Sequence, residues 1–368
     1  MNGIKKSMRK NGALGQLLIP LIALGILILF NVIYGLLGPK HDLSFFNIEL
    51  ATNSSGGKVL SGNLITIIDN ASMLAIIAMG MTLVTAACGG QDISVGEVGA
   101  IAGAVFVKVA NAGDSITTGS FLLGVLVCIL GTIAFMMFNG TLVSVFKIQP
   151  MIATLILFSC GRSIAYWING SAAPQLKSPI IDAIGTTIPG VPIPTSIFIV
   201  ILMVVVLLLI FRFTNLRLYT QSVGINQGAS RLNGINPTVI KLLSFVLLGV
   251  CVAVAAVIGV SRMHQLNHKT LLNEIEMDAI LAVAIGGNNL GGGKFRLAGS
   301  ILGAYIIQML STTLYSMGVQ PDGVKFYKAI VIIILVVVGS PVIKSRITTL
   351  VNRIRSGKAM AAAGRGVE

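Results

Sequence analysis

The chain has 368 residues, of which 10% are charged and 55% are apolar, and its mean hydropathy is +0.92. A soluble domain carries about 25% charge, so most of this surface faces something other than water, and the bilayer fits. The net charge of +14 would point to nucleic acid in a soluble chain, but the basic residues lie between apolar runs and form no basic face with interleaved aromatics.

The N-terminus carries Lys5, Lys6, Arg9 and Lys10 ahead of an apolar run from Leu17 to Leu37. That run is longer than a signal-peptide core and ends without a small-x-small cleavage pattern. It reads as a retained first span, with a signal peptide as the alternative. Further apolar runs fall near 64–87, 93–112, 120–146, 150–168, 194–213, 240–262, 275–290, 297–318 and 324–343. A helical span needs about 20 mostly apolar residues. The expectation is therefore an all-α polytopic membrane protein with about ten transmembrane helices. The eighth run is the weakest: its dense part, Ala279 to Ile285, is short enough for a re-entrant or broken helix. The 42 glycines suit close helix packing in lipid. Cys88, Cys128, Cys160 and Cys251 lie in or beside apolar runs without metal-ligand spacing and read as small packing residues.

Charge tests the count. With the N-terminus inside, 17 of the 26 Lys and Arg residues fall in inner segments and 8 in outer ones, with Arg162 inside a span. The bias obeys the positive-inside rule. Both ends are basic, so the number of crossings is even and both termini are expected in the cytoplasm. The eighth segment must then cross, even if irregularly. This divides the chain into a cytoplasmic tail at 1–16, a ten-span domain at 17–343 and a basic cytoplasmic tail at 344–368. The longest outer loop, Asn169 to Pro194, is rich in Pro, Gly and Ser, and the largest inner loop covers about 214–239. Each reads either as a plain connector or as a docking surface.

Several motifs come close to a known chemistry. Gly286-Gly287-Asn288-Asn289-Leu290-Gly291-Gly292-Gly293-Lys294-Phe295 approaches a phosphate-binding loop, but Asn288 takes the first Gly position and Phe295 replaces the hydroxyl. It reads instead as a flexible cytoplasmic turn between spans. His264 and His268 have zinc-protease spacing, but Gln265 stands where the general base belongs, so a solvated loop is expected and no metal is assigned. Asp69, Glu97 and Arg162 are intramembrane ionisable residues and invite a functional reading, although Asp69 and Arg162 lie near span ends where snorkelling would serve. Asp92 sits in a glycine break and is expected to cap the following helix, with substrate contact as the alternative. The break Gly89-Gly90 before Gly99-x-x-x-Gly103 is echoed by Gly286-Gly287 before Gly299-x-x-x-Gly303, through either duplication or chance. No catalytic constellation and no cofactor signature stand out, which leaves a membrane enzyme unsupported.

Three segments carry a resemblance. Gly80-Met81-Thr82-Leu83 with Gly89-Gly90-Gln91-Asp92-Ile93-Ser94-Val95-Gly96 is the first. Gly224 to Asn236 is the second, and Ile285 to Lys294 with Gly299 and Gly303 is the third. Together, in this order, they resemble the ribose-type sugar permeases of bacterial ABC importers, and the wording after Asp278 leans toward the galactofuranose branch. Departures from the family pattern include Gln91 for an aliphatic residue, Gln227 and Gly228 for Glu and Ala, Asn288-Asn289 for Thr-Ser, and Phe295 for Gly.

The resemblance implies an ABC importer permease fold in the bacterial inner membrane. Its partners would be an ABC ATP-binding subunit inside, a periplasmic or extracellular solute-binding protein outside, and a second permease chain, identical or sister. Gly224, Asn226, Gln227, Ala229, Arg231 and Gly234 are the candidate residues for coupling to the ATPase. Gln91, Asp92, Asn288 and Asn289 are the candidates along the translocation path. The implied substrate is a monosaccharide or a similar small polar solute. The alternative from another class is an ion-coupled secondary transporter with Asp69 or Glu97 as the coupling carboxylate.

Overall fold

Apolar runs in a chain that must satisfy its backbone without water close into helices, and the ends of these helices are marked locally. Pro150, Pro179 and Pro237 open helices at the first position, where a missing N–H is harmless. Thr117 and Ser120 form a capping box, and Gly89 and Gly170 close helices in the left-handed conformation. The structure is a computed structural model that describes residues 2–37, 44–52, 58–113, 116–170 and 173–339. In chain order the helices are α1 (Asn2–Leu37), α2 (Asn63–Cys88), α3 (Val95–Ala110), α4 (Thr118–Ser144), α5 (Pro150–Asn169), α6 (Pro179–Gly185) and α7 (Thr195–Phe213). There follow α8 (Leu216–Ile225), α9 (Gln227–Leu232), α10 (Pro237–Met263), α11 (Ile275–Ile285), α12 (Leu297–Ser316) and α13 (Pro321–Gly339).

Among the described residues, seven helices are long and apolar enough to cross a membrane: α1 from Pro20, α2, α4, α5, α7, α10 and α12. Burial sorts them into two layers. The apolar windows of α2, α10 and α12 are 89%, 72% and 72% buried and form the centre. Those of α1, α4, α5 and α7 are 22–28% buried and form the rim. The rim exposes Leu, Ile, Val and Phe side chains, including Leu122, Leu126, Leu130, Leu202 and Leu208, a surface that only lipid or another apolar partner covers. The basic C-terminal tail expected at 344–368 lies outside the described residues.

Three of the ten apolar runs take a different form. The third run is α3, 16 residues or about 24 Å of helix. Its N-terminus begins inside the bundle, after a non-helical stretch that starts at Gly89. The eighth is α11, 11 residues or about 16 Å, half the roughly 30 Å of a hydrocarbon core. The connection from α10 into α11 is non-helical and buries Leu266 and Leu271, each 1% exposed. The loop expected to be solvated around His264 and His268 is thus folded into the bundle, because its leucines need an apolar site. The two short helices start against each other: Leu272 and Glu276 pack on Gly96, where a side chain would collide with them. The tenth run, α13, carries Asp322, Lys325 and Lys328 in its first half, and Lys328 pairs with Asp278 of α11 at 2.9 Å.

The all-α expectation misses one feature. Strands β1 (Glu49–Thr52) and β2 (Lys58–Ser61) form an antiparallel hairpin. Its Leu60 N–H donates to the Pro192 carbonyl at 2.9 Å, which ties the hairpin to the long loop before α7. Four-residue strands present too short an alternation to register against the apolar runs around them.

Candidate coupling site and polar breaks

The three motif segments are far apart in sequence and meet at the end of the bundle that carries α8 and α9. Gly224, near the end of α8, lies so close to the Ala86 carbonyl of α2 that a Cβ there would overlap it. The Gly293 N–H donates to that same Ala86 carbonyl at 3.0 Å. Gly292 adopts φ 92° and packs on Gly89, where an added Cβ would stand 2.9 Å from Cα. Both positions require glycine, one for approach and the other for its backbone. Gln91 closes the contact, its Nε2 donating to the Leu290 carbonyl at 2.9 Å. The two echoed glycine breaks therefore pack directly on each other, with α8 laid across them.

From this base α9 projects. The Asn226 side chain accepts from the Ala229 N–H at 3.0 Å and caps the helix start. At the other end, Gly234 at φ 78° donates to Arg231 O, and the Ile235 N–H donates to Ser230 O, both at 3.0 Å. That pair of bonds is a Schellman ending. Gln227, Ala229, Arg231 and Gly234 are exposed, as is Asn226, while Gly224 is half-buried in the junction. The same surface exposes Leu232 at 91% and Ile225 at 75%. Leu232 ends α9 and Ile225 ends α8, and large apolar side chains this bare need a partner.

The path candidates are also placed. Asp92 is fully buried, and its Oδ1 accepts from the Ser94 N–H and hydroxyl, both at 2.7 Å. Asn139 of α4 donates to Asp92 Oδ2 at 3.3 Å and to Ser94 Oγ at 2.9 Å. The N-cap of α3 is Ser94, without a side-chain cap bond, so Asp92 does not itself cap the helix but braces the turn that leads into it. Asn288 is buried and bonds to Val283 O, Arg296 O and Ser300 Oγ, while its Oδ1 accepts from the Arg296 N–H at 2.7 Å. Asn289 is exposed and braces the turn through Gly291 N and Gly292 O. The segment expected as a flexible turn is instead cross-linked by these amides, because a backbone reversal within the bundle must satisfy its own polar groups.

Four of the ionisable residues in the spans neutralise each other in two pairs. Arg162 Nε donates to Glu97 Oε1 at 3.0 Å, and its Nη1 reaches the His268 and Leu271 carbonyls at 2.5 and 3.3 Å. Arg162 thus turns inward to hold the non-helical crossing and does not snorkel. Asp69 is bound by Arg262 and by Ser196 at the opposite end of the bundle. Glu97 and Glu276 each sit in the first turn of a short helix, where the helix dipole favours a negative charge. His264 turns to Asp182 at 2.9 Å while His268 meets the Tyr166 ring. The two histidines therefore do not converge, and no metal-binding cluster occurs among the described residues.

Two further residues escape a local reading. Phe295 is 5% exposed and packs edge-on against Phe211 of α7, with centroids 5.2 Å apart. Arg217 of α8 stands over the same ring, at 6.0 Å. The only sign of Phe295 in the sequence is its departure from the glycine of the resembled pattern. Thr82 of α2 donates to Ser300 of α12 at 2.6 Å, a pairing no local pattern reveals.

A family profile described as the branched-chain amino acid transport system / permease component matches residues 63–339. The galactofuranose transporter permease protein of Escherichia coli is 37% identical over 298 residues, 81% of this chain and 84% of that protein. The fructose import permease protein of Bifidobacterium longum is 34% identical over 329 residues, 88% of each chain. The ribose import permease protein of Escherichia coli is 32% identical over 279 residues, 75% of this chain and 85% of its own. No solved structure matches the chain. The profile match runs through all three converging segments, and nothing among these relatives favours an ion-coupled carrier. The chain belongs to the branched-chain amino acid transport system / permease component family and, within it, to the ribose-type ABC importer permeases: it is a multi-pass membrane subunit, not an enzyme, and ATP hydrolysis falls to a partner subunit.

Proposed function

We propose that this chain is the path by which an ATP-driven importer passes a monosaccharide into a bacterial cell, with α9 as its contact to the motor. One observation carries the reading: an exposed surface with bare Leu232 on α9 and bare Ile225 on α8 follows directly on a glycine junction that joins α8 to α2 and to the α11–α12 turn. A push on α9 reaches the membrane core through backbone contacts, without compliant side chains between. In this reading Gly224 is the pivot, and Asn226, Gln227, Ala229, Arg231 and Gly234 form or shape the contact surface. Gln91, Asp92, Asn288 and Asn289 brace the inner end of the path.

The positive-inside bias places the α8–α9 end, both tails and an even number of crossings as set out from the sequence. Ten crossings are reached when α3, α13 and the non-helical entry with α11 each count as one. The solute-binding protein would dock on the opposite end, where a groove of about 540 Å³ is lined by Gln175, Lys177, Asp182 and His264. The rim helices differ in what they suit. α7, with hydropathy 3.1, is 22% buried and fits lipid. α5 is nearly as bare at 28% buried, but its hydropathy is 1.5, and it exposes Ser159, Ser163 and Tyr166. That face suits a wet path enclosed with a second permease chain. The sugar class rests on the names of the relatives.

The test is transport in liposomes holding this chain with its ATP-binding subunit and solute-binding protein, probed with tritiated galactose, fructose and ribose. Accumulation that requires internal ATP is expected. Accumulation driven by a sodium or proton gradient without ATP would sink the reading.

A further inference from the structure

We infer that Phe295 is a positioning residue for energy coupling: it pins the α11–α12 turn to the root of the coupling arm, so that α8 and the turn move as one body. The proposal rests on the permease reading above and adds to it a residue that the three motif segments do not explain.

The junction is held by the Gly293 N–H on the Ala86 carbonyl and by Gln91 on the Leu290 carbonyl, all at the last turn of α8 or beyond it. Gly224, Gly292 and Gly293 meet Ala86 and Gly89 backbone to backbone, with the Ile225 side chain against Gly293, and none of these contacts reaches the first turn of α8. A helix fixed at one end only can pivot without moving what it touches. α8 is contacted at both. Its last turn lies on Ala86 and Gly293. Its first turn carries Arg217, whose guanidinium stands 6.0 Å from the Phe295 ring, a cation–π arrangement. The ring itself is 5% exposed and crosses Phe211, in the last turn of α7, at 80°.

The ring also belongs to the apolar cluster of Met79, Leu83 and Ala86 of α2 and Met203 and Leu207 of α7. Phe295 therefore joins α2, α7, α8 and the start of α12. Two attachment points on a helix of 10 residues, about 15 Å long, convert its rotation into displacement of the turn. From there Gln91 and Asn288 link the turn to the start of α3 and to Ser300 and Thr82 in the core. A buried phenylalanine also adds to stability wherever it lies, so the test has to separate coupling from folding.

The experiment uses the full chain assembled with its ATP-binding subunit in nanodiscs. It follows hydrogen exchange of residues 286–296 without nucleotide and after vanadate trapping of ATP, in wild type, Phe295→Gly and Phe295→Tyr. In wild type, trapping should change exchange of the turn by about tenfold, the scale of a coupling free energy between packed elements. Phe295→Gly should assemble and hydrolyse ATP at a rate close to wild type, yet lose the change in the turn. Phe295→Tyr should restore it, since a ring of the same shape meets Phe211 and Arg217. A wild-type turn indifferent to trapping, or a Phe295→Gly turn that still responds, overturns the pin. A Phe295→Gly variant in which assembly, hydrolysis and exchange all decline together, without rescue by Tyr, reduces the residue to packing and overturns it as well. Sugar uptake by the wild type tests the parent reading separately.

Discussion

At the scale of single residues, the polar groups of the core act in closed sets, and a change is judged by what it leaves unpaired. Asp92 holds the start of α3 through Ser94 and meets Asn139 from α4. Asp92→Ala strands the Ser94 N–H in a buried site and leaves the Asn139 amide only its bond to Ser94 Oγ, and should cost about 1–3 kcal/mol. Asp92→Asn keeps the acceptor toward Ser94. The Oδ1 of Asn139 has no hydrogen-bond partner among the described residues, so a flip of that amide lets it accept from the new NH2. The thermal midpoint of the purified chain in detergent should therefore fall clearly for Asp92→Ala and only slightly for Asp92→Asn. Equal losses would mean that the negative charge, and not the hydrogen bonds to Ser94, is what matters. The same bookkeeping explains Arg162, which lies in mid-span yet satisfies Glu97 and two carbonyls of the adjoining non-helical crossing.

Elements add constraints that single residues do not show. α9 has six residues, too few to persist alone, since isolated helices below about 12–15 residues are marginal in water. It is held by the Asn226 cap and the Gly234 ending. Gly234→Pro removes a bonded N–H and forbids φ 78°, so it should unravel the helix end and abolish co-purification with the ATP-binding subunit. Gly234→Ala keeps the N–H and should cost about 1 kcal/mol, leaving assembly detectable. Arg231→Glu leaves the helix intact and reverses an exposed charge, so it should weaken assembly without lowering the thermal midpoint. Wild-type yield of complex from both Gly234→Pro and Arg231→Glu would remove α9 from the interface. The short helices α3 and α11 make the complementary case. Each would span poorly alone, and they are tolerated because their free N-termini face each other inside protein and not lipid.

Across the whole molecule, the bundle has two chemically distinct ends. One carries α8, α9 and the paired glycine breaks; the other carries the hairpin, α6 and the Asp69–Arg262 pair. If the charge bias sets the orientation, Ala229→Cys should react with a membrane-impermeant maleimide only in inverted vesicles, and Lys177→Cys only in right-side-out ones. Labelling of both from one side would break the assigned topology. The four native cysteines are buried or half-buried and should contribute little background.

The sequence did not show that α1 begins at Asn2 and not near 17, or that α6 and α8 interrupt stretches expected as loops. Taken alone, it was enough to show that the chain lives in a membrane, to place its long apolar helices, and to mark the glycine breaks. Those properties are local: hydropathy is a transfer free energy summed residue by residue, and caps and breaks are read within one turn. It could not distinguish a run that faces lipid from one that faces protein, because both are apolar. α2 and α7 therefore looked alike, although one is the centre and the other the rim. Nor could it show that Ala86, Gly224 and Gly293 touch, or that the phenylalanine at 295 closes their contact. Contacts across such distances in sequence leave no periodic trace. Only the packing of the whole bundle decided that three glycine-rich segments form one junction beneath a single exposed helix.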